Sequence, residues 1–254
     1  MKKLPFSSPF DSSPVYFKQR TSSTMVDAVA VADMGGPPGT VVAAGFQEQG
    51  RGRKPGHVWD SPAGKNLLFT IYLENIYFQD RPTLIPLAAG LAVARAVTDC
   101  CCVGACIRWP NDVLVNACKV CGILCVAKGS RLFAGIGINC NQTKFPEEFS
   151  GSVTSLCCAT GRRVDRDGLF KAVLEQLYRC LMLPDPIPEI MRMLWIPEGD
   201  CLYVPESSQG EFNESIRPVC GKVLGIGKMG ELLFLSAGAK TPLKVISGSI
   251  RAAT

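Results

Sequence analysis

The sequence predicts an α/β (α+β) fold: a mixed β-sheet with helices packed on it, followed by a small C-terminal β-barrel. Three observations carry this. Residues 66–73 place Leu67, Phe69, Ile71 and Leu73 at alternate positions, the period of two that suits a half-buried strand. Residues 87–101 are apolar all round, as a helix enclosed by other elements must be. From Gly199 onward the texture changes to short β-type runs separated by turns, the signature of a small barrel. These divide the chain into 1–198 and 199–254, and 254 residues at 47% hydrophobic content supply a core for one substantial domain plus a module.

In chain order, residues 15–18 read as a strand that runs into the hydroxyl cluster Thr21, Ser22, Ser23 and Thr24, which caps a helix over 25–33. Residues 34–39 break that helix, and 40–45 form the strand that feeds a loop. Residues 81–86 are a turn before the apolar helix. A strand at 106–109 pauses at Pro110, Asn111 and Asp112, resumes over 113–115, turns at Asn116 and Ala117, and pairs back over 120–127. Residues 132–140 give another apolar strand, read as an exposed edge open to self-pairing or docking. Its Gly135 and Gly137 imply that something lies close against the backbone. An amphipathic helix at 169–183, a Pro-rich joint at 184–188 and a last helical turn at 191–195 complete the first part. Short strands at 202–205, 217–226, 231–235 and 243–246, with a tight turn at 227–230, make the second.

Composition narrows the chemistry. No run is read as long enough to cross a bilayer, and residues 1–14 lack the apolar core of a signal peptide, so a cytosolic address is the default. Thirteen cysteines set mostly inside apolar runs suit a reducing compartment, where Cys acts as a small buried hydrophobe. Cys118 and Cys121 have half-site spacing for zinc, but no second pair follows. A single histidine, His57, leaves hydrolytic triads little to work with. The net charge of +5 suits anionic substrates or an acidic partner and does not by itself point to nucleic acid.

The loop between residues 45 and 70 holds the most chemistry. Gly50 and Gly52 free the backbone to bring N–H groups near a ligand. Arg51 and Arg53 add two permanent charges with bidentate geometry for phosphate or carboxylate. Trp59 offers a flat face for a ring. On residue types this is a flexible anion-binding lid. A solvated basic loop or an RNA contact stays open for Gly50–Lys54 alone.

Four motifs then follow in order: Gly50, Arg51, Gly52, Arg53 with Trp59; Arg108, Trp109, Pro110, Asn111, Asp112; Lys119 through Leu124; and Gly135 through Asn139. With Ser23, Thr24 and Gln47 upstream, they resemble the biotin protein ligase family over nearly the whole chain from Val15. The resemblance implies a biotin/lipoate ligase-type catalytic domain over 1–198 and an SH3-like domain over 199–254. It implies conversion of biotin and ATP, with Mg²⁺, to biotinyl-5′-adenylate and pyrophosphate, then transfer to one lysine of a biotin carboxyl carrier domain. By the same resemblance Arg51, Arg53 and Lys119 are catalytic, and Ser23, Thr24, Gln47, Gly50 and Gly122 complete the biotin site with them. Trp59, Asn111 and Asn139 join Arg51, Arg53 and Lys119 at the nucleotide, and Asp112 reaches Mg²⁺ weakly.

Departures from the family pattern are a loop one residue longer before Trp59, His57 where Arg is frequent, and Arg108 in place of Lys. Only 14 residues precede the first expected strand, so a DNA-binding winged helix is not expected. The partners implied are biotin, ATP and the carrier domain, without nucleic acid or membrane, in a monomer or homodimer. A lipoate or octanoate ligase of the same fold, and a non-catalytic nucleic-acid-binding module, are the competing readings.

Overall fold

The structure is a computed structural model that describes residues 1–53, 56–74, 77–78, 80–206 and 217–253, and every count of elements is of these residues. In order they are β1 (Lys2–Ser7), β2 (Pro14–Lys18), α1 (Thr24–Asp33), β3 (Val41–Ala44), β4 (Leu67–Glu74), α2 (Leu84–Cys101), β5 (Ala105–Arg108), β6 (Asp112–Val115), β7 (Cys118–Lys128), β8 (Arg131–Ile138), α3 (Leu156–Thr160), α4 (Arg166–Leu181), α5 (Ile187–Met193), and β9 (Cys201–Val204), β10 (Val219–Ile226), β11 (Leu232–Ser236), β12 (Leu243–Val245) and β13 (Ser249–Ala252).

The first eight strands form one mixed sheet, ordered β1-β2-β3-β4-β8-β7-β6-β5, with β2 parallel to β3 and the other pairs antiparallel. The last five form an antiparallel sheet, ordered β12-β11-β10-β9-β13, consistent with an SH3-like unit. The expected α/β class with a second, smaller β unit is what the chain adopts.

Strand β4 is buried on both faces, not one. Leu67, Phe69, Ile71 and Leu73 face the main core with α2 and α4. Tyr72 faces the other way, packing with Val42, Phe133 and the α1 residues Ala28, Val31 and Ala32. The sheet therefore lies between α1 on one side and α2 and α4 on the other. Alternation names the face a strand prefers; it does not reveal that a second helix covers the opposite face.

Helix α2 begins three residues before the predicted start. Pro86 sits in its first turn, where a missing N–H costs nothing because that donor has no intrahelical partner. By length and composition α2 would cross a bilayer, against the sequence reading that no run is long enough. It is 72% buried within the protein, as the core helix of the layered fold.

Three further expectations change. The strand at 106–109 does not resume after Pro110: the chain reverses, and β5 pairs antiparallel with β6, Arg108 opposite Asp112. Strand β8 is no edge, being flanked by β4 and β7. The outer strands are β5 and β1; the sequence reading missed β1, whose Lys2, Lys3 and Pro5 are residues that discourage edge-to-edge pairing. The last helical turn expected over 191–195 is the end of a longer helix, α5, which starts at Ile187 inside the expected Pro-rich joint, with Pro188 in its first turn, and ends at Met193.

The two sheets are tied together by polar contacts. The Trp109 indole donates to the Gly230 carbonyl at 3.3 Å, and the Thr83 hydroxyl donates to the Met229 carbonyl.

Candidate functional site

The floor of the site is set where β2 hands over to α1. Ser23 caps the helix, its hydroxyl accepting from the Met25 N–H at 3.3 Å. Asp27, in the first turn, is held by Lys18 and by the Thr21 hydroxyl, each at 2.6 Å, an arrangement that suits the positive helix N-terminus. Thr24 donates through both its N–H and its hydroxyl to the Gln47 side-chain oxygen Oε1, at 2.8 and 2.9 Å. Its hydroxyl also meets that of Thr70 on β4 at 2.9 Å. With its oxygen occupied, Gln47 turns its amide N–H₂ toward Gly50.

Above this floor, residues 50–53 and 56–59 lie antiparallel as the two arms of a hairpin. Gly52 N–H donates to the His57 carbonyl at 2.8 Å and Trp59 N–H to the Gly50 carbonyl at 2.9 Å, with Arg51 opposite Val58. Lys54 and Pro55, in the loop read from the sequence as a lid, lie outside the described residues. The Gly52 N–H is thus spent on the hairpin itself. At Gly50 a side chain would meet the Trp59 carbonyl at 2.7 Å, so glycine is required there for the hairpin to close.

The hairpin lays Trp59 against β7 and β8. A Cβ on Gly137 would stand 2.7 Å from the indole, and one on Gly122 2.8 Å. The close neighbour foreseen for Gly137 is therefore Trp59, and that of Gly135 is Met25, at 3.1 Å from the Cβ position. The same indole stands over Gly122, which the resemblance assigns to the biotin site and which lines a cavity together with Lys119. The Trp59 Nε1 is buried against Gly137 without a hydrogen-bond partner among the described residues.

Lys119 is aimed by a β-bulge. The β6–β7 register passes from Val113–Cys121 to Leu114–Lys119, so an extra residue twists β7 at this point. The displaced backbone is fixed by the segment before α3: the Lys119 N–H donates to the Ser152 carbonyl at 2.9 Å, and the Lys119 carbonyl accepts from the Thr154 N–H at 3.0 Å. Its ammonium lies 2.6 Å from Asp112 Oδ1 and 5.7 Å from the centre of the Trp59 ring. Asp112 Oδ2 takes Arg108 at 2.7 Å. The carboxylate expected to reach Mg²⁺ is thus clamped between two cations, and no cluster of three acidic, His or Cys ligands occurs among the described residues. The donor set does not fit a metal held by the protein.

Asn111 locks the turn after Pro110, donating to the Ile123 carbonyl at 2.7 Å and accepting from Arg53 Nε at 3.3 Å. The rest of the Arg53 guanidinium binds Glu206 and, at 2.7 Å, the Gly248 carbonyl. Asn139 is buried, donating to the Thr154 carbonyl at 3.2 Å and accepting from Asn66 at 3.3 Å.

Two cavities meet here. One, of about 150 Å³, is lined by Ser23, Thr24, Gln47, Arg51, Arg53, Trp59, Asn111, Lys119 and Gly122. The other, of about 310 Å³, is lined by Asn139 and Asp112 and shares Arg53, Trp59, Asn111 and Lys119 with the first. The structure thus brings Arg51, Arg53 and Lys119 to one cleft. Gly50, assigned to the biotin site from the sequence, lines neither cavity and instead lets the hairpin close against Trp59.

Sequence reasoning missed Thr70, Asn66 and the C-terminal residues Ser249 and Arg251 that line the larger cavity. Thr70 carried a signal, a lone hydroxyl in an apolar strand. Asn66 stands alone before β4, and Ser249 and Arg251 reach the site only through the packing of the second sheet.

Residues 19–142 match the biotin/lipoate A/B protein ligase family. The chain is 34% identical over 223 residues to the bifunctional ligase/repressor BirA of Bacillus subtilis (strain 168), covering 84% of this chain and 66% of that protein. It is 32% identical over 166 residues to the biotin–[acetyl-CoA-carboxylase] ligase of Mycobacterium tuberculosis, covering 62% of this chain and 60% of the relative. The chain therefore spans less than two thirds of these relatives' length. A biotin protein ligase from Aquifex aeolicus, solved in complex with biotin and ATP, superposes with a TM-score of 0.80 at 25% identity, over 94% of this chain and 99% of that one. With the fold, the ordered motifs and these matches in agreement, the chain belongs to the biotin/lipoate A/B protein ligase family.

Proposed function

We propose that this chain is an ATP-dependent biotin–protein ligase, which activates biotin as biotinyl-5′-adenylate and passes it to a lysine of a biotin carboxyl carrier domain. The observation that carries this reading is the convergence of Arg51, Arg53 and Lys119 on one cleft whose floor is the Thr24–Gln47–Thr70 network. In the first step a carboxylate oxygen of the vitamin attacks the α-phosphorus and pyrophosphate leaves. Anion approaches anion, so fixed positive charge in a site screened from water is the main requirement. Two guanidiniums and an ammonium meet it, and the Lys119 ammonium is held in place by Asp112 before substrate arrives.

At the other end, the Gln47 amide and the Thr24 hydroxyl suit the ureido group of biotin. Polar groups of this kind, left unpaired by an apolar ring system, discriminate against lipoate. In the second step the acceptor amine attacks the acyl carbon of the mixed anhydride and AMP departs. Trp59, lying over Gly122 and Gly137, shields that bond from water. The nucleotide enters as MgATP with the metal on its phosphates, and no step runs through a protein-held metal.

Residues 1–198 form the catalytic unit and 199–254 the C-terminal one in this reading. The thirteen free thiols support a reducing compartment such as the cytosol. Pyrophosphate release from MgATP tests it: biotin alone among biotin, lipoate and octanoate should support release. Release with lipoate or octanoate only would assign the sister activity of the family, and release with none would reject the ligase reading.

A further inference from the structure

We propose that Glu206, in the C-terminal part of the chain, is a positioning residue for adenylate formation, acting by holding Arg53 at the junction of the two cavities. The role given to Arg53 rests on the ligase reading; the hold on Arg53 is independent of it. Of the five N–H bonds of the guanidinium, one goes to Asn111, one to the Gly248 carbonyl and one to the Glu206 carboxylate. Two remain, fixed in direction by the other three, for an anion.

Two observations say that the C-terminal unit is built to make this hold. The first is the turn before β13. Gly248 has φ +123, and a Cβ there would meet the Val204 carbonyl at 2.8 Å, so only glycine brings this carbonyl under Arg53. The Tyr203 hydroxyl pins the same turn by donating to the Ser247 carbonyl at 2.8 Å. The second is the carboxylate itself. Glu206 Oε1 is buried without a partner among the described residues, while Oε2 is given to Arg53. A half-satisfied buried carboxylate costs stability by itself. What it gains here is one oriented guanidinium, joining the loop between β3 and β4 to the second sheet beside the site.

The experiment compares wild type with E206A, E206Q, R53A, the double variant R53A/E206A and, as a control, E198A, which alters an exposed carboxylate outside the site. Pyrophosphate release is measured against MgATP and biotin, and trypsin cleavage after Arg51 and Arg53 is timed in the ligand-free protein. E206A should lower kcat about tenfold, the worth of one charge-assisted hydrogen bond, with the KM for biotin within about twofold of wild type. E206Q, which keeps an acceptor and the side-chain shape, should recover part of the loss. The double variant should be no slower than R53A alone. Cleavage should speed up several-fold in E206A and stay at the wild-type rate in E198A. Unchanged or faster turnover in E206A, losses that multiply in the double variant, or unaltered cleavage would overturn the proposal. If wild type itself releases no biotin-dependent pyrophosphate, the ligase reading fails, and the cleavage rates alone decide whether Glu206 holds Arg53.

Discussion

Replacing Gly137 by Ala asks whether the docking of Trp59 closes the site. The new methyl would stand 2.7 Å from Cε2 of the indole and 2.9 Å from Cζ2 and Nε1. Ordinary carbon contacts lie near 3.5–4.0 Å, so the separation must grow by roughly 1 Å. Gly137 cannot retreat, because it is paired with Leu68 on β4 and Gly122 on β7. Nor can the ring slide sideways over β7, since its Cζ3 already stands 2.8 Å from the Cβ position of Gly122. The indole must lift, taking the hairpin with it. Overpacking of this kind costs about 1–3 kcal/mol. Charged to the closed state of the loop, that is about 5- to 150-fold in kcat/KM for biotin-dependent pyrophosphate release. Thermal stability should move by less than about 1 kcal/mol, because Trp59 belongs to neither hydrophobic core. Gly104→Ala, whose methyl meets nothing within 4 Å, is the control. A Gly137→Ala protein with wild-type kcat/KM and an unchanged melting temperature would refute the closure attributed to Trp59.

The remaining predictions concern the floor, the clamp and the thiols. Thr70→Val removes the buried partner of the Thr24 hydroxyl and should weaken biotin binding about fivefold by calorimetry, the worth of one neutral hydrogen bond; undiminished affinity would remove Thr70 from the site. Asp112→Asn takes away the charge shared by Arg108 and Lys119 and should lower kcat at least about tenfold; an unchanged kcat would make the clamp incidental. Burial lifts the Cys140 thiol to about 12 and raises Cys121 above its usual value, so both stay neutral in the folded chain. The unfolded chain ionises first, so stability should hold below pH 9, the usual thiol value, and fall as pH rises from there toward 12. Denaturant titrations under reductant at several alkaline pH values should show that decline, and stability that is flat or rising over this window would contradict it.

Much of this was legible in the sequence, and the losses have physical causes. The long helices and most strands declared themselves through period and composition, with ends shifted where a proline sits in a first turn, as in α2 and α5; β1 and β13 did not. Neighbour relations did not. Residues 132–140 read as an edge strand although β8 is central, because alternation carries no record of which strands lie alongside. The reversal at Pro110 was hidden because two short apolar runs look alike whether the chain continues or folds back. At the site, Arg51, Arg53, Trp59 and Lys119 were legible as a set because each carries unusual chemistry in an ordered motif. Their couplings were not legible: Asp112 with Lys119, Trp59 with Gly137, and Arg53 with Glu206 each join residues that only tertiary packing brings together.

The most direct test of the central claim, that two guanidiniums and one ammonium converge where an acid meets a nucleotide, is made on the product. A biotin carboxyl carrier domain is incubated with biotin, MgATP and either wild-type protein or Lys119→Ala, and its mass is measured. The account predicts one biotinyl group on the carrier lysine with wild type and at least about a hundredfold slower modification with Lys119→Ala, the scale lost with a principal charge-stabilising group. Equal modification by the two proteins would contradict it.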